Sequence, residues 1–194
     1  MTRNRIVLAS SSPYRLELLA KLRLPFVSAA PAIDETQMAG ESADALAMRL
    51  AYEKAWALAD DFPDHLIIGS DQVVQCGTAC FGKPGTRERA RQQLAQASGN
   101  LVSFFSAVCV LDTRVGLART SLDETRVHFR ALSAAQIERY IELDRPMDCA
   151  GAFKSESLGI ALVRRIEGDD PNALIGLPLV SLTELLQQFG VSVL

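Results

Sequence analysis

The chain alternates between short apolar runs typical of strands and longer segments with helical spacing. The apolar run at Leu66–Ile68 predicts a strand buried on both faces, Arg5–Ala9 predicts a first buried strand, and Phe26–Ala29 predicts a second short strand. The remaining elements are predicted in this order: helices from Pro13 and over Ala43–Ala59, a helix capped by Thr86, strands Leu101–Leu111 and Leu117–Phe129, a helix capped by Ser133, strand Ile160–Ile166 and helix Leu179–Phe189. Early strands separated by helices favour parallel pairing, and the later adjacent strands favour antiparallel pairing. We therefore expect a mixed α/β fold.

The strand at Leu66–Ile68 leads to the first candidate for chemistry. Its apolar run is predicted to end at Gly69-Ser70, which places Asp71 at the carboxyl edge where α/β proteins bind ligands. A hairpin at Gly77-Thr78 would carry Lys83 back toward Asp71. An acid and a lysine there indicate an anionic substrate attacked by an activated water. The alternative is a turn-capping aspartate and a solvated lysine, and these two residues alone favour neither.

A serine-rich turn follows the first strand and opens the first helix. Ser12 fits the N-cap and Pro13 the first helical position, where its missing N–H costs nothing. Unpaired backbone N–H groups and the helix dipole make such a turn a ready anion site. Arg15 lies in the first turn, where a cation is mildly unfavourable. A bound phosphate would compensate for it, and a solvated arginine is the alternative.

Composition narrows the class of protein further. The chain has 194 residues, which is long enough for one domain with a buried hydrophobic core. Hydrophobic residues make up 48% of it and charged residues 22%, as is ordinary for a globular protein. Its net charge of −3 provides no overall basic field, so nucleic acid is not an expected partner. The apolar run after the opening residues is too short for a signal peptide or a membrane span. We therefore expect no membrane association and a cytoplasmic protein.

The cysteines and histidines do not indicate a metal-binding cluster. The four cysteines are scattered and only two histidines are present, so buried reduced thiols are favoured over a zinc site. These positions are Cys76, Cys80, Cys109 and Cys149.

Several short motifs occur in an order that resembles one protein family. The opening Ser10-Ser11-Ser12-Pro13-Tyr14-Arg15 resembles the Ser-x-Ser-Pro-Arg-Arg opening of the Maf family of nucleoside triphosphate pyrophosphatases. The further motifs are Asp34-Glu35-Thr36, Arg49 to Ala55, Gly69 to Val73, Gly82-Lys83-Pro84, Ser98-Gly99-Asn100 and Gly176-Leu177-Pro178. Each is weak alone, but together they cover nearly the whole chain. The segments Cys149–Glu156 and Asp170-Pro171-Asn172 resemble the YceF-type branch, which is associated with 7-methyl-GTP.

The resemblance implies a fold shared with inosine triphosphate pyrophosphatases. Residues 1–194 would form a single Maf-like domain with a mixed central sheet and two lobes around a cleft. The implied reaction is hydrolysis between the α- and β-phosphates, which gives a nucleoside monophosphate and pyrophosphate and requires a divalent cation, magnesium or manganese. The partner would be a small-molecule nucleotide. Family members are commonly dimers, which makes a homodimer a candidate assembly.

The resemblance also implies roles for individual residues. Asp71 matches the acid taken as proton acceptor for the attacking water, and Glu35 matches a cleft carboxylate that could help to hold the metal. The residues that match phosphate-binding positions are Ser10, Arg15, Lys54 and Lys83. Magnesium prefers one or two carboxylates together with phosphate oxygens, which Asp71 and Glu35 could supply. Whether Asp71 is a general base or a metal ligand stays open.

Three positions match those associated with choice of base. They are Tyr14, which replaces the usual second arginine of the opening motif, Gln72, and Glu156, where other branches carry glutamine. A carboxylate at Glu156 could accept hydrogen bonds from the ring N–H and amino group of guanine. The 7-methylguanine ring is cationic, which also suits an aromatic face such as Tyr14. The alternative makes Tyr14 a packing residue and Glu156 a solvated one.

Two other classes of function are alternatives to a pyrophosphatase. One is a nucleotide-sensing regulator of cell division and septum formation, with catalysis secondary or lost. The presence of Asp71, Lys54 and Lys83 together argues against lost catalysis. The other is a Rossmann dehydrogenase, which is excluded because no Gly-x-Gly-x-x-Gly follows the first strand.

Overall fold

The computed structural model describes residues 5–194, so residues 1–4, part of the prediction about a leader, lie outside it. Within the described residues the strands are β1 (Arg5–Ala9), β2 (Phe26–Ala29), β3 (His65–Cys76), β4 (Ala79–Phe81), β5 (Leu101–Asp112), β6 (Leu117–Phe129) and β7 (Val163–Glu167). The α-helices are α1 (Pro13–Ala20), α2 (Ala43–Trp56), α3 (Arg87–Ala97), α4 (Ala134–Asp144) and α5 (Leu179–Gln188). Short 3-10 turns lie at Pro146–Asp148, Ala150–Ala152, Leu158–Leu162 and Ala173–Ile175.

The strands form one mixed sheet, as the sequence predicts. Their order is β2-β1-β3-β5-β6-β7, and β4 pairs with β3. The pairs β1–β2 and β1–β3 are parallel, whereas β3–β4 and β6–β7 are antiparallel. No helix among residues 5–194 has the length and apolar character needed to cross a membrane.

The described chain divides into two compact units. Unit 1 comprises residues 5–71, 106–123 and 170–194, and unit 2 comprises residues 72–105 and 124–169. In unit 1, leucine and isoleucine side chains of β1, β3, α1 and α5 form a buried cluster. The residues of β1 after Arg5 are all buried, which explains why this strand is apolar at every position rather than at alternate ones.

The α2 helix packs closely against β3 in unit 1, and Gly69 makes this approach possible. A Cβ atom at Gly69 would lie 2.1 Å from the carbonyl oxygen of Ala51 and 2.7 Å from the backbone nitrogen of Ala55. Gly69 is therefore required by helix–strand contact. The prediction that the strand ends at Gly69-Ser70 is wrong, because β3 continues through the apolar residues Val73 and Val74 to Cys76.

Unit 2 is built around α3, α4 and a group of three phenylalanines. The ring centroid of Phe153 lies 5.7 Å from that of Phe104 and 5.2 Å from that of Phe129. The two helices begin as predicted: the Thr86 hydroxyl accepts a hydrogen bond from the Arg89 N–H, and Ser133 forms a capping box with Gln136.

Two other predictions require correction. The segment predicted as strand Ile160–Ile166 begins as the 3-10 turn Leu158–Leu162 and becomes extended only at Val163. A Cβ at Gly159 would lie 2.3 Å from the carbonyl oxygen of Lys154, so the chain folds back on itself here. The four cysteines are free, but only Cys109 is buried and Cys80 is exposed.

Candidate functional site

Unit 1 brings together three of the predicted site residues around one ammonium group. The Nζ atom of Lys54 lies 2.6 Å from Oδ1 of Asp71 and 2.6 Å from Oε1 of Glu35. The side chains of Lys54 and Asp71 are 8% and 10% exposed, whereas that of Glu35 is 59% exposed. One cation therefore holds a buried and an accessible carboxylate side by side.

The α2 helix explains why Lys54 lies inward although Glu53, its neighbour, does not. Leu50, Ala51 and Ala55 are buried with Lys54, so all four lie on the helix face that packs on the sheet. Lys54 reaches Asp71 from this face. The ion pair with Asp71 therefore lies on the sheet side of α2 and is buried.

Asp71 lies inside β3 rather than at its end. The parallel pairing between β1 and β3 nevertheless stops at Ala9 opposite Gly69, two residues before Asp71. Asp71 therefore lies just beyond the carboxyl end of the parallel β1–β3 pair, which is the edge predicted to bind a ligand. Ser10 directly follows Ala9, the last residue of β1. It is buried, and its hydroxyl accepts a hydrogen bond from the Ser12 N–H at 3.1 Å.

Arg15 is oriented by a loop far away in the sequence. Its Nε donates a hydrogen bond to the carbonyl oxygen of Gly176 at 2.9 Å. The buried hydroxyl of Ser70, which donates to the Ala107 carbonyl oxygen at 2.8 Å, lies 3.2 Å from the same Gly176 oxygen. Burial lowers the pKa of the Arg15 guanidinium, and the negative charges of Asp71 and Glu35 oppose that shift. Arg15 therefore belongs to the electrostatic environment of the two carboxylates and is not simply solvated.

The segment that carries Gly176 is itself fixed by a buried carboxylate. Oδ1 of Asp170 accepts hydrogen bonds from the backbone and side-chain nitrogens of Asn172, at 2.8 and 2.9 Å. Oδ2 of Asp170 accepts from the Val180 N–H in the first turn of α5 at 2.7 Å. The Asp170-Pro171-Asn172 motif thus anchors the loop that orients Arg15. The sequence predicts a turn at Gly168–Asn172 and a family resemblance for this motif, but neither indicates the anchoring of the loop to α5.

The carboxylate oxygens of Asp71 and Glu35, beside Lys54, suit the divalent cation implied by the family resemblance. No cluster of three or more histidine, cysteine or acidic side chains able to hold a metal occurs among residues 5–194. Magnesium does not need such a cluster, because it commonly takes one or two carboxylates and completes its shell with phosphate oxygens and water. Asp71 and Glu35 supply two hard oxygen donors beside one another, which fits that pattern.

The other predicted residues are placed as follows. Tyr14 precedes Arg15 in α1 and is half-buried, and Gln72 follows Asp71 in β3 and is half-buried. Lys83 and Glu156 lie on exposed loops of unit 2. The Lys83 loop is held at both ends, because the Gly151 N–H donates to the Gly82 carbonyl at 3.3 Å and the Gly85 N–H donates to the Met147 carbonyl at 2.9 Å.

Comparison with known proteins places the whole chain among named relatives. A family model described as Maf-like protein matches residues 5–189. A protein of Alcanivorax borkumensis named 7-methyl-GTP pyrophosphatase is 53% identical over 186 residues, covering 96% of this chain and 94% of the relative. Proteins with the same name from Nitrosococcus oceani and Pseudomonas aeruginosa are 52% and 50% identical, each covering 97% of this chain and 95% and 98% of the relative.

Among solved structures, the Staphylococcus aureus Ham1 protein matches with a TM-score of 0.45 and 14% identity, covering 66% of this chain and 73% of that one. The family assignment does not depend on this likeness. The family model matches residues 5–189, and relatives that are 52–53% identical cover 96–97% of this chain. Three of the family motifs also meet at Lys54. The chain therefore belongs to the Maf family.

Proposed function

We propose that the protein is a nucleoside triphosphate pyrophosphatase that hydrolyses 7-methyl-GTP to the nucleoside monophosphate and pyrophosphate. The observation that carries the proposal is the pair of carboxylates, Asp71 and Glu35, on the single ammonium of Lys54. The names of the full-length relatives at 50–53% identity support the choice of substrate. The cellular role that follows is the removal of methylated guanine nucleotides before polymerases use them.

The reaction needs a nucleophile, charge neutralisation and a leaving group. A water oxygen would bond to the α-phosphorus while the bond from that phosphorus to the bridging oxygen breaks and pyrophosphate departs. The proton of the water would pass to the carboxylate of Asp71, which lies inside β3. Arg15 and Lys54 would offset the charge of the phosphates, since phosphoryl transfer depends mainly on positioning and electrostatics.

A divalent cation, magnesium or manganese, is part of the proposal. Glu35 would hold it together with phosphate oxygens of the substrate, and Asp71 would supply a second carboxylate in the alternative where it is a metal ligand and not the proton acceptor. When bound, the cation would neutralise phosphate charge and lower the pKa of a coordinated water. Lys54 then acts as the counterion that keeps the two carboxylates together before the cation arrives.

The remaining predicted residues are assigned to substrate binding. We assign Lys83 to phosphate and Tyr14, Gln72 and Glu156 to the base. Glu156 would accept hydrogen bonds from the donor edge of guanine, and Tyr14 would present an aromatic face to the cationic methylated ring. We further propose a cytoplasmic enzyme, acting on a free nucleotide without nucleic acid or membrane and assembling as a homodimer.

The test is pyrophosphate release from the four canonical ribonucleoside triphosphates, dTTP and 7-methyl-GTP, with magnesium or manganese present. We expect 7-methyl-GTP to give the highest kcat/KM and Asp71→Asn to abolish turnover. Asp61→Asn, which neutralises an exposed aspartate of the same unit, should leave turnover unchanged.

Two further outcomes separate the parts of the proposal. If dTTP or UTP is preferred, the enzyme class stands and the roles of Tyr14 and Glu156 fail. If 7-methyl-GTP is preferred, Tyr14→Arg combined with Glu156→Gln should erode that preference, and a preference that survives the double change would contradict the assigned base contacts. If no triphosphate is turned over, the proposal fails in favour of a nucleotide-sensing regulator of cell division.

A further inference from the structure

The loop that carries Glu35 lies between β2 and α2 and contains no helix or strand of its own. Hydrogen bonds within the loop hold its shape instead. Oδ1 of Asp34 accepts from the Thr36 N–H at 2.9 Å, and Oε2 of Glu41 accepts from the Met38 N–H at 3.0 Å. The side-chain nitrogen of Gln37 donates to the Glu41 carbonyl at 2.7 Å. These bonds order the loop internally but do not attach it to α2.

Arg49, on α2, provides that attachment. Its Nε and Nη2 donate to the two carboxylate oxygens of Glu41, at 2.7 and 2.9 Å. Nη2 also donates to the carbonyl oxygen of Thr36 at 3.1 Å. A forked arginine–carboxylate pair fixes both distance and orientation, which a lysine cannot do in the same way. Arg49 and Glu41 are 18% and 10% exposed at their side chains, so the pair is largely shielded from water.

The remaining donor of Arg49 turns back to its own helix. Its Nη1 donates to Oε2 of Glu53 at 3.1 Å, one helical turn further along α2. This contact steadies the guanidinium without touching the loop. The structure therefore separates two kinds of partner for Arg49: Glu41 and Thr36 on the loop, and Glu53 on the helix.

Arg49 and Glu41 stabilise each other's charged forms. The hydrogen bonds from Arg49 lower the pKa of Glu41 from 4.5 to about 2, and Glu41 in turn raises the pKa of Arg49. Both groups are therefore charged throughout the neutral range.

We propose that Arg49 is a positioning residue for Glu35, and that it acts by clamping Thr36 and Glu41 to α2. Thr36 follows Glu35 directly in the chain, and Lys54 lies on the same helix as Arg49. The loop is thus held to α2 at two places, by Arg49 through a carbonyl and a carboxylate, and by Lys54 through Glu35 itself. Because the Glu35 side chain is 59% exposed, packing does little to fix it. The clamp defines where its carboxylate lies relative to Asp71.

This role rests on the proposed function, since it concerns the placement of a carboxylate in that site. The variants Arg49→Met and Glu41→Gln remove the clamp from its two sides. We expect each to lower kcat/KM for 7-methyl-GTP by roughly 10- to 100-fold, as is usual when a residue that orients a ligand group is lost. Arg49→Lys should recover only part of this loss, because it restores the charge and not the fork. Glu53→Gln, the matched control, removes the helix contact of Arg49 and should leave kcat/KM within about threefold of wild type.

A double-mutant cycle tests whether Arg49 acts through Glu35. Glu35→Gln alone should lower kcat/KM, and adding Arg49→Met to it should produce little further loss, because the group to be positioned is already missing. Losses that multiply in the double variant would overturn the positioning role. A comparable loss in Glu53→Gln would also overturn it, since that result would indicate a general effect on α2.

The single tryptophan of the chain gives a readout that does not depend on turnover. Trp56 and the loop residues Ile33, Thr36 and Met38 line the same cavity, of about 680 Å³. Glu41→Gln should therefore change the emission maximum of Trp56, and Glu53→Gln should change it less. If wild type turns over no triphosphate, the proposed function fails, and the emission of Glu41→Gln still decides whether the clamp holds the loop. Unchanged emission in that variant would contradict the clamp.

Discussion

The two units hold their candidate site residues in opposite ways. In unit 1 the candidate side chains bind one another, since Lys54 is shared by Asp71 and Glu35. In unit 2 the candidate side chains Lys83 and Glu156 are exposed, and the loops that carry them are fixed through neighbouring residues. The same requirement, a side chain at a defined place, is met by direct ion pairing in one unit and by loop anchoring in the other.

The loop around Glu156 shows how unit 2 achieves this. On one side of Glu156, the Lys154 N–H donates to the hydroxyl oxygen of Tyr140 at 3.0 Å, and Lys154 Nζ donates to the Asp144 carbonyl at 3.0 Å. On the other side, the Ser157 hydroxyl donates to Oδ1 of Asp144 at 2.6 Å. Both anchors lie on α4. Glu156 itself takes no part in anchoring the loop to that helix.

This difference determines what a substitution should do. In unit 1, a charge removed from the site is also a charge removed from a buried network, so stability and activity should fall together. In unit 2, the functional side chain can be removed without touching its anchors, so activity should fall alone.

The largest effect is expected at the two lysines. Lys54→Met would leave the buried carboxylate of Asp71 without its cation, which typically costs roughly 3–5 kcal/mol when one partner of a buried pair is lost. Lys83→Met removes an exposed cation and should leave the free energy of unfolding unchanged. Both variants should lose most of their pyrophosphate release. Urea unfolding alongside turnover measures the two properties separately.

The control for this comparison is the double variant Lys54→Met with Asp71→Asn. Neutralising the uncompensated carboxylate should restore part of the lost stability without restoring turnover. A fully stable Lys54→Met protein would show that the ion pair adds nothing to the fold, and the contrast between the units would fail.

A smaller effect is expected at the anchors of the Glu156 loop. Tyr140→Phe removes the acceptor of the Lys154 N–H from a buried position, which should cost about 1 kcal/mol of unfolding free energy. We expect KM for 7-methyl-GTP to rise severalfold and kcat to change little, because the loop is proposed to read the base and not to perform the chemistry. Steady-state kinetics with 7-methyl-GTP and GTP measure this.

The matched control is Tyr52→Phe, which removes the hydroxyl of an exposed tyrosine in unit 1. It should leave both stability and KM unchanged. A fall in kcat at constant KM in Tyr140→Phe would instead assign this loop to the chemical step.

The helices and strands were better predicted from the sequence than the packing contacts between them. Apolar runs and caps identified β1 and the starts of α1, α3 and α4, because these signals are local. The end of β3 was misplaced because a glycine within a strand looks like a terminator. Only the approach of α2, which no local pattern contains, shows that Gly69 makes room for a helix.

The candidate site was predictable to the extent that its residues lie in motifs. Asp71 was indicated by its strand, but Lys54 was assigned only through the family resemblance, since its neighbours do not reveal which way it faces. Arg49 had no assigned role, because its partners Thr36 and Glu41 lie in a loop without periodicity. Contacts between a helix and an irregular loop leave no spacing signal in the sequence.

The smallest expected effect compares two similar arginine–carboxylate clusters, one in each unit. Glu41 is bound by Arg49, and Glu138 in unit 2 is bound by Arg87 and Arg91. In both cases the arginines lower the pKa of the glutamate from 4.5 to about 2. A carboxylate whose pKa is lowered on folding stabilises the protein above its unfolded pKa, and this contribution is lost as the pH falls from about 4.5 to about 2.

In Glu41→Gln and in Glu138→Gln, the free energy of unfolding should therefore fall less steeply between pH 5 and pH 2 than in wild type. The two differences should be small and similar, and urea midpoints measured across this pH range would show them. At neutral pH only Glu41→Gln should slow turnover, because only Glu41 holds a loop that carries a site carboxylate. Equal slowing by Glu138→Gln would mean that the arginine clusters act through stability in general. Slowing confined to Glu41→Gln would mean that the cluster in unit 1 contributes to turnover, whereas the similar cluster in unit 2 contributes only to stability.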